Sequence, residues 1–96
     1  MQRRVTIASA VGLHARPATL LSQAAAAQPV PVRIAKVTDG AAGAAVDASS
    51  VLGLMTLGVH HGEEVELSAE GDSAATVLEE LADLLSRDLD NEPVNA

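Results

Sequence analysis

The chain has 96 residues, 48% of them hydrophobic, a net charge of −7, and no Cys, Phe, Tyr or Trp. Its length suits one domain rather than a large multi-domain enzyme, and without cysteine it has neither a disulfide staple nor a thiolate metal site. The acidic balance argues against a nucleic-acid binder. No apolar run approaches the ~18 residues that span a bilayer, and the N-terminus lacks an apolar signal region, so a cytoplasmic protein without membrane insertion is expected.

In chain order, Arg3 to Ser9 alternates, with Val5 and Ile7 against Thr6 and Ala8, as a half-buried strand does. Ala10 to Leu13 form a loop with Gly12 as its turning point. A helix follows from about Ala15 to Ala27, with Leu20, Leu21, Ala24 and Ala25 at helical spacing, and Gln28-Pro29 ends it. Val30, Val32 and Ile34 alternate with Pro31 and Arg33 as a second strand, and Pro31 belongs at its start or at a sheet edge.

Asp39-Gly40 is a turn signal, and a weak third strand is expected around Ala44 to Asp47. Asp47, Ser49 or Ser50 can cap a short helix over about Ser49 to Leu54. Glu63 to Ala69 is the clearest strand, with Val65 and Leu67 against Glu64, Glu66 and Ser68. Asp72 or Ser73 caps a last helix with an apolar stripe of Val77, Leu78, Leu81, Leu84 and Leu85. The order β-α-β-β-α-β-α implies an α+β domain over residues 1–89, with helices on one face of a mainly antiparallel sheet, and a short polar tail over 90–96.

The chemistry concentrates in Gly12-Leu13-His14-Ala15-Arg16-Pro17-Ala18, a strand-to-helix turn carrying a histidine and an arginine. The first-turn N–H groups of a helix have no partners within it, and the macrodipole adds partial positive charge, which together favour an anion. Pro17 removes an N–H that the helix would leave unused. Imidazole, with a reference pKa of ~6.5, is largely unprotonated at neutral pH and nucleophilic. A phosphoryl group on His14 would carry roughly −1.5 to −2 charges beside the Ala15 and Arg16 amides, within reach of the Arg16 guanidinium fork. Spacing alone leaves a plainer alternative open: His14 caps the helix and Arg16 is solvated.

The string Gly-Leu-His-Ala-Arg-Pro-Ala resembles the phosphoacceptor signature of the HPr family, the histidine phosphocarriers of the bacterial phosphoenolpyruvate:sugar phosphotransferase system. A second block, Ser49-Ser50-Val51-Leu52-Gly53-Leu54-Met55-Thr56-Leu57-Gly58, is similar to that family's second signature, and the resemblance runs from about Val5 to Leu89. It implies a four-stranded sheet with three helices packed on one side. It further implies a stoichiometric carrier, not an enzyme, with no cofactor, that takes a phosphoryl group on His14 from phosphorylated enzyme I. The group then passes to A-type domains of sugar-specific enzymes II.

The resemblance places Leu54 and Leu57 inward and Ala15, Arg16, Thr19, Leu20, Val51, Leu52, Met55 and Thr56 on the partner surface of a monomer. Ser50 matches a serine that a dedicated HPr kinase phosphorylates in one branch of the family. That branch has a basic residue just before the serine, where this chain has Ser49. Two relatives of the same role, a nitrogen-related phosphotransferase relay and a dihydroxyacetone kinase relay, would also keep His14. From a different class, a regulatory domain could hold a small anion reversibly at the same turn. His60-His61 reads as a loop pair and not as metal ligands, because no third ligand lies near it in sequence.

Overall fold

The computed structural model describes residues 1–8, 12–13 and 15–87. His14, Ser9 and the tail 90–96 lie outside the described residues. The elements are β1 (Gln2–Thr6), α1 (Ala15–Ala26), β2 (Arg33–Thr38), β3 (Ala41–Ala42), β4 (Val46–Asp47), α2 (Val51–Thr56), β5 (Glu64–Ser68) and α3 (Ala74–Leu85). The sheet runs β1-β5-β2-β3, with β4 also on β2, and every pairing is antiparallel.

Alternation assigns the faces of the central strands. Val5, Val65, Leu67 and Ile34 lie in register on the core side. Arg4 and Glu66 are paired residues on the opposite side, where the Arg4 guanidinium donates to the Glu66 carboxylate at 2.9 Å. The core is aliphatic throughout: Ile7, Leu21, Ile34, Leu54, Val65, Leu67, Val77, Leu78, Leu81 and Leu85 are all fully buried. α3 lies against β1 and β5, and α1 packs between α2 and α3. Arg3 on β1 pairs with Glu79 on α3, fastening that helix to the edge strand.

Three sequence expectations are corrected. The second strand begins at Arg33, not Val30, and continues to Thr38. Pro29 and Pro31 cannot donate to a ladder, so regular pairing starts only beyond them. The expected third strand is two short ladders on the same side of β2. Thr38-Asp39-Gly40-Ala41 closes the hairpin, with Asp39 and Gly40 both at positive φ (52° and 82°), which suits the Asp-Gly pair of a primed turn. β3 pairs with one end of β2 and β4 with the other, and their registers differ by one residue. One extra residue is therefore accommodated near Ala44 and Ala45, as in a β-bulge. The exposed Ala45 carbonyl accepts a hydrogen bond from Arg33 Nη2 at 2.9 Å. Counting β3 and β4 as one interrupted edge recovers four strands.

The short helix is the third correction. It spans Val51–Thr56, and Ser50 is its cap, with Oγ accepting the Gly53 N–H at 3.1 Å. α1 ends at Ala26, where Gln28 Nε2 donates to the Ala24 carbonyl at 3.1 Å. α1 buries Pro17, Ala18, Leu21, Ser22 and Ala25, while Leu20 and Ala24 stay half-buried at its flank. Ser73 precedes α3 without a side-chain capping bond, and Leu84 is likewise only half-buried. Leu67, central to the sheet and fully buried, tests how far this core can collapse. Leu67→Ala should cost about 2–5 kcal/mol of unfolding free energy, read from urea unfolding curves.

Candidate functional site

The site is built where the end of β1, the start of α1 and the end of α2 converge. Gly12 is buried at φ +69°, a conformation that L side chains rarely adopt. A Cβ at Gly12 would stand 2.3 Å from the Val59 carbonyl oxygen and 2.8 Å from His60 Cα. The approach is close because the Leu13 N–H donates to that same Val59 carbonyl at 3.0 Å, while the Leu13 side chain is buried in the core. The backbone just before α1 is thus stitched onto the segment that follows α2.

α1 then begins at Ala15, with no acidic residue in its first turn. His14 itself lies outside the described residues, so the site is defined by its neighbours. Arg16 is exposed, and Pro17 beside it is buried, which anchors the first turn. Four of the five basic side chains in the first forty residues are committed: Arg3 to Glu79, Arg4 to Glu66, Lys36 to Glu63 and Arg33 to the Ala45 carbonyl. Among the described residues Arg16 has no such partner. An exposed guanidinium in the first turn of α1 is a candidate partner for an anion there.

Packing of α1 on α2 brings the two sequence motifs together. Leu54 is fully buried and Leu57 half-buried, the inward pair expected. Leu52 is 78% exposed and Met55 44% exposed, unusually open for large apolar side chains. Ala15, Thr19 and Thr56 are exposed, and Leu20 and Val51 are half-buried, Val51 against the core. Thr19 Oγ1 donates to the Ala15 carbonyl at 2.7 Å, so its hydroxyl is turned back onto its own helix.

The second motif is entered through an aspartate turn. One Asp47 carboxylate oxygen accepts both the Ser49 hydroxyl, at 2.7 Å, and the Ser49 N–H, at 2.9 Å. Those hydrogen bonds hold the Asp47 carboxyl below its ordinary value, against a smaller opposing effect of desolvation and with a small contribution from the Arg33 charge. Ser50, by contrast, spends its hydroxyl oxygen on the Gly53 N–H. A Cβ on Gly53 would meet Ser50 Oγ at 3.3 Å and Val46 Cβ at 3.5 Å, so the glycine lets α2 lie close to β4.

Sequence reasoning did not single out Lys36 and Glu63, which the fold places beside the loop that carries Val59. Glu63 Oε1 accepts the His60 N–H at 2.7 Å and lies 3.5 Å from Lys36 Nζ. Its carboxyl is held below the usual range, chiefly by that N–H, partly opposed by desolvation and aided by the Lys36 charge. No sequence signal marks this pair: the two residues are 27 positions apart and read as ordinary strand polar positions.

The described residues form a small α+β domain, an antiparallel sheet covered by three helices, with a glycine before the first helix and exposed aliphatic side chains on the short second one. The family model described as "PTS HPr component phosphorylation site" matches residues 1–87. The phosphocarrier protein HPr of Streptomyces coelicolor is 44% identical over 92 residues, covering 96% of this chain and 95% of that protein. Among solved structures, HPr-C-His from Thermoanaerobacter tengcongensis superposes with a TM-score of 0.79 at 34% identity, covering 97% of this chain and 99% of the other. The phosphocarrier protein HPr of Bacillus anthracis gives 0.77 at 35% identity, covering 88% and 95%. The chain belongs to the HPr family of the phosphotransferase system. Among the described residues no helix is long and apolar enough to cross a membrane.

Two measurements check this geometry. Gly12→Ala and Gly40→Ala both force alanine into positive φ, but nothing lies within 4 Å of a Cβ at Gly40. Gly12→Ala should therefore be the more destabilising by at least ~1 kcal/mol in denaturant unfolding. The Ser49 amide resonance should titrate with Asp47 at a midpoint below 3.8. Because the folded value is depressed, the stabilisation from this turn is present above the unfolded value and is lost as pH falls through the folded one.

Proposed function

We propose that this chain is a stoichiometric phosphoryl carrier in which His14 accepts the group from phosphorylated enzyme I and delivers it to A-type domains of sugar-specific enzymes II. The observation that carries the reading is Arg16 at the start of α1, exposed and without an ion-pair partner among the described residues, two residues after the histidine of a chain that matches the family's phosphorylation-site model. In the forward step an imidazole nitrogen lone pair forms a bond to phosphorus as phosphorus leaves the donor. In the next step the same bond breaks toward the acceptor. Nothing is oxidised or reduced, and the carrier returns unchanged.

The chain's own groups have three tasks. The amides of Ala15 and Arg16 lie in the first turn of α1, where a helix offers them no internal partner, and they would face the added charge. The Arg16 guanidinium supplies a charge-assisted partner for the phosphoryl oxygens. Leu52 and Met55, with Ala15, Thr19, Leu20, Val51 and Thr56 around them, offer a small apolar patch for a brief encounter. A carrier that must bind two partners in turn is better served by such a patch than by a large permanent interface. It would act as a monomer.

Ser50 is the proposed regulatory position. A phosphate there would stand at the start of α2, immediately beside Val51 and Leu52, and would add negative charge to the docking patch. It would weaken partner binding while leaving the fold in place.

Incubation with phosphoenolpyruvate and enzyme I, followed by intact mass, should add one phosphoryl unit to the wild type and none to His14→Ala, and acid should remove it. An acid-stable adduct, or one that persists in His14→Ala, would sink the assignment. Arg16→Ala should keep the wild-type unfolding midpoint but slow transfer by roughly 10–100-fold, the loss of a charge-assisted hydrogen bond of about 1.5–3 kcal/mol. Unchanged transfer would remove Arg16 from the site.

A further inference from the structure

The backbone stitch at Gly12–Leu13 has to be held from its other side. The segment receiving it, 58–62, is flanked by Gly58 and Gly62, both at positive φ (65° and 82°), and neither carries a Cβ that would pack against anything. Two such points would let the segment pivot. Three contacts oppose that motion. The Gly62 N–H donates to the Ile7 carbonyl at 2.9 Å, and the Ile7 N–H donates to the Glu63 carbonyl at 2.9 Å. Lys36 Nζ donates to the Gly58 carbonyl at 3.1 Å. Glu63 closes the turn from within, its carboxylate accepting the His60 N–H at 2.7 Å while its own N–H donates to the His60 carbonyl at 3.1 Å.

These contacts form one continuous path. It runs from Lys36 on β2 to the Glu63 carboxylate, to the His60 N–H, through the adjoining Val59 carbonyl to the Leu13 N–H, one residue before His14. Only the first two links are side-chain chemistry that a mutation can remove without touching the acceptor loop or the docking patch.

Resting on the carrier reading above, we infer that Glu63 is a positioning residue for phosphoryl transfer. By holding the His60 N–H it fixes the Val59 carbonyl, and that carbonyl fixes the Gly12–Leu13 backbone from which the acceptor histidine departs. The carboxylate touches neither the phosphoryl group nor a partner. Its removal therefore lowers the rate of the transfer step and leaves the affinity for enzyme I alone, since misplacement of a reacting group acts on the chemical step. The hydrogen bond to the His60 N–H, rather than the charge, is the essential part. The amide oxygen of a glutamine can accept the same proton and so retain the hold.

The test compares wild type, Glu63→Ala and Glu63→Gln as phosphoryl acceptors from enzyme I charged with phosphoenolpyruvate, over a range of carrier concentrations. Amide hydrogen exchange is measured on the same three proteins. Glu63→Ala should lower kcat roughly tenfold with KM within about twofold, and Glu63→Gln should recover most of the loss. The Leu13 amide should exchange faster in Glu63→Ala, while Val65 and Leu67 in β5 keep their protection. A wild-type kcat in Glu63→Ala would overturn the inference while leaving the carrier reading intact. So would a loss of kcat accompanied by lost protection at Val65 and Leu67, which would mark a merely structural role. A wild type that takes no phosphoryl group from an active enzyme I would overturn both.

Discussion

The site depends on one hydrogen bond and one missing side chain: the Leu13 N–H on the Val59 carbonyl, and the glycine before it that lets the two backbones meet. The backbone at Gly12–Leu13 and the segment after α2 are far apart in sequence, and positive-φ glycines mark both: Gly12 in the first, Gly58 and Gly62 in the second. The Leu13–Val59 hydrogen bond joins them at one corner. The start of α1 inherits that corner's position, and with it the direction in which its first-turn amides point. A helix N-terminus attracts anions wherever it lies.

The core that supports this corner is built without a single aromatic ring. Leucine, isoleucine, valine and alanine fill the space between the sheet and α1 and α3, and each contributes less buried area than an aromatic would. Compensation comes from completeness. Among the described residues no buried side-chain nitrogen or oxygen lacks a hydrogen-bond partner, and the only buried polar side chain, Ser22, donates to the Thr19 carbonyl at 2.9 Å. Ion pairs lie at the periphery, Arg3 with Glu79 and Arg4 with Glu66, where exposed pairs contribute little individually. With these side chains paired, Arg16 is the basic residue of the first forty that has no ion-pair or hydrogen-bond partner among the described residues.

Exposed apolar side chains at the site follow from the geometry of a short helix. α2 has six residues and one buried position, Leu54, so most of its aliphatic residues cannot face inward. Leu52 and Met55, on a helix that packs against α1, are exposed rather than absorbed by an aliphatic core that could have used them. Large apolar side chains left exposed on one short helix support the docking role proposed for this patch.

Local periodicity determined much of this protein. The alternation around Val65 and Leu67, the helical stripe from Val77 to Leu85, and the Asp39-Gly40 turn were each legible because the side chains concerned answer to a neighbour a few residues away. The start of α1 was legible for the same reason, since Gly12 and Pro17 mark a turn into a helix; the role given to His14 came from the resemblance of the motif and not from its spacing. The start of β2 and the break between β3 and β4 were not. Pairing there is decided by which N–H groups a partner strand can reach, and the one-residue register shift is absorbed by an arginine reaching back to a carbonyl twelve residues on. Nor could the sequence show that Gly12 is pressed against Val59, or that Glu63 and Lys36 brace the same loop. Those contacts join residues separated by dozens of positions, and only the closed fold brings their backbones within a hydrogen bond of one another.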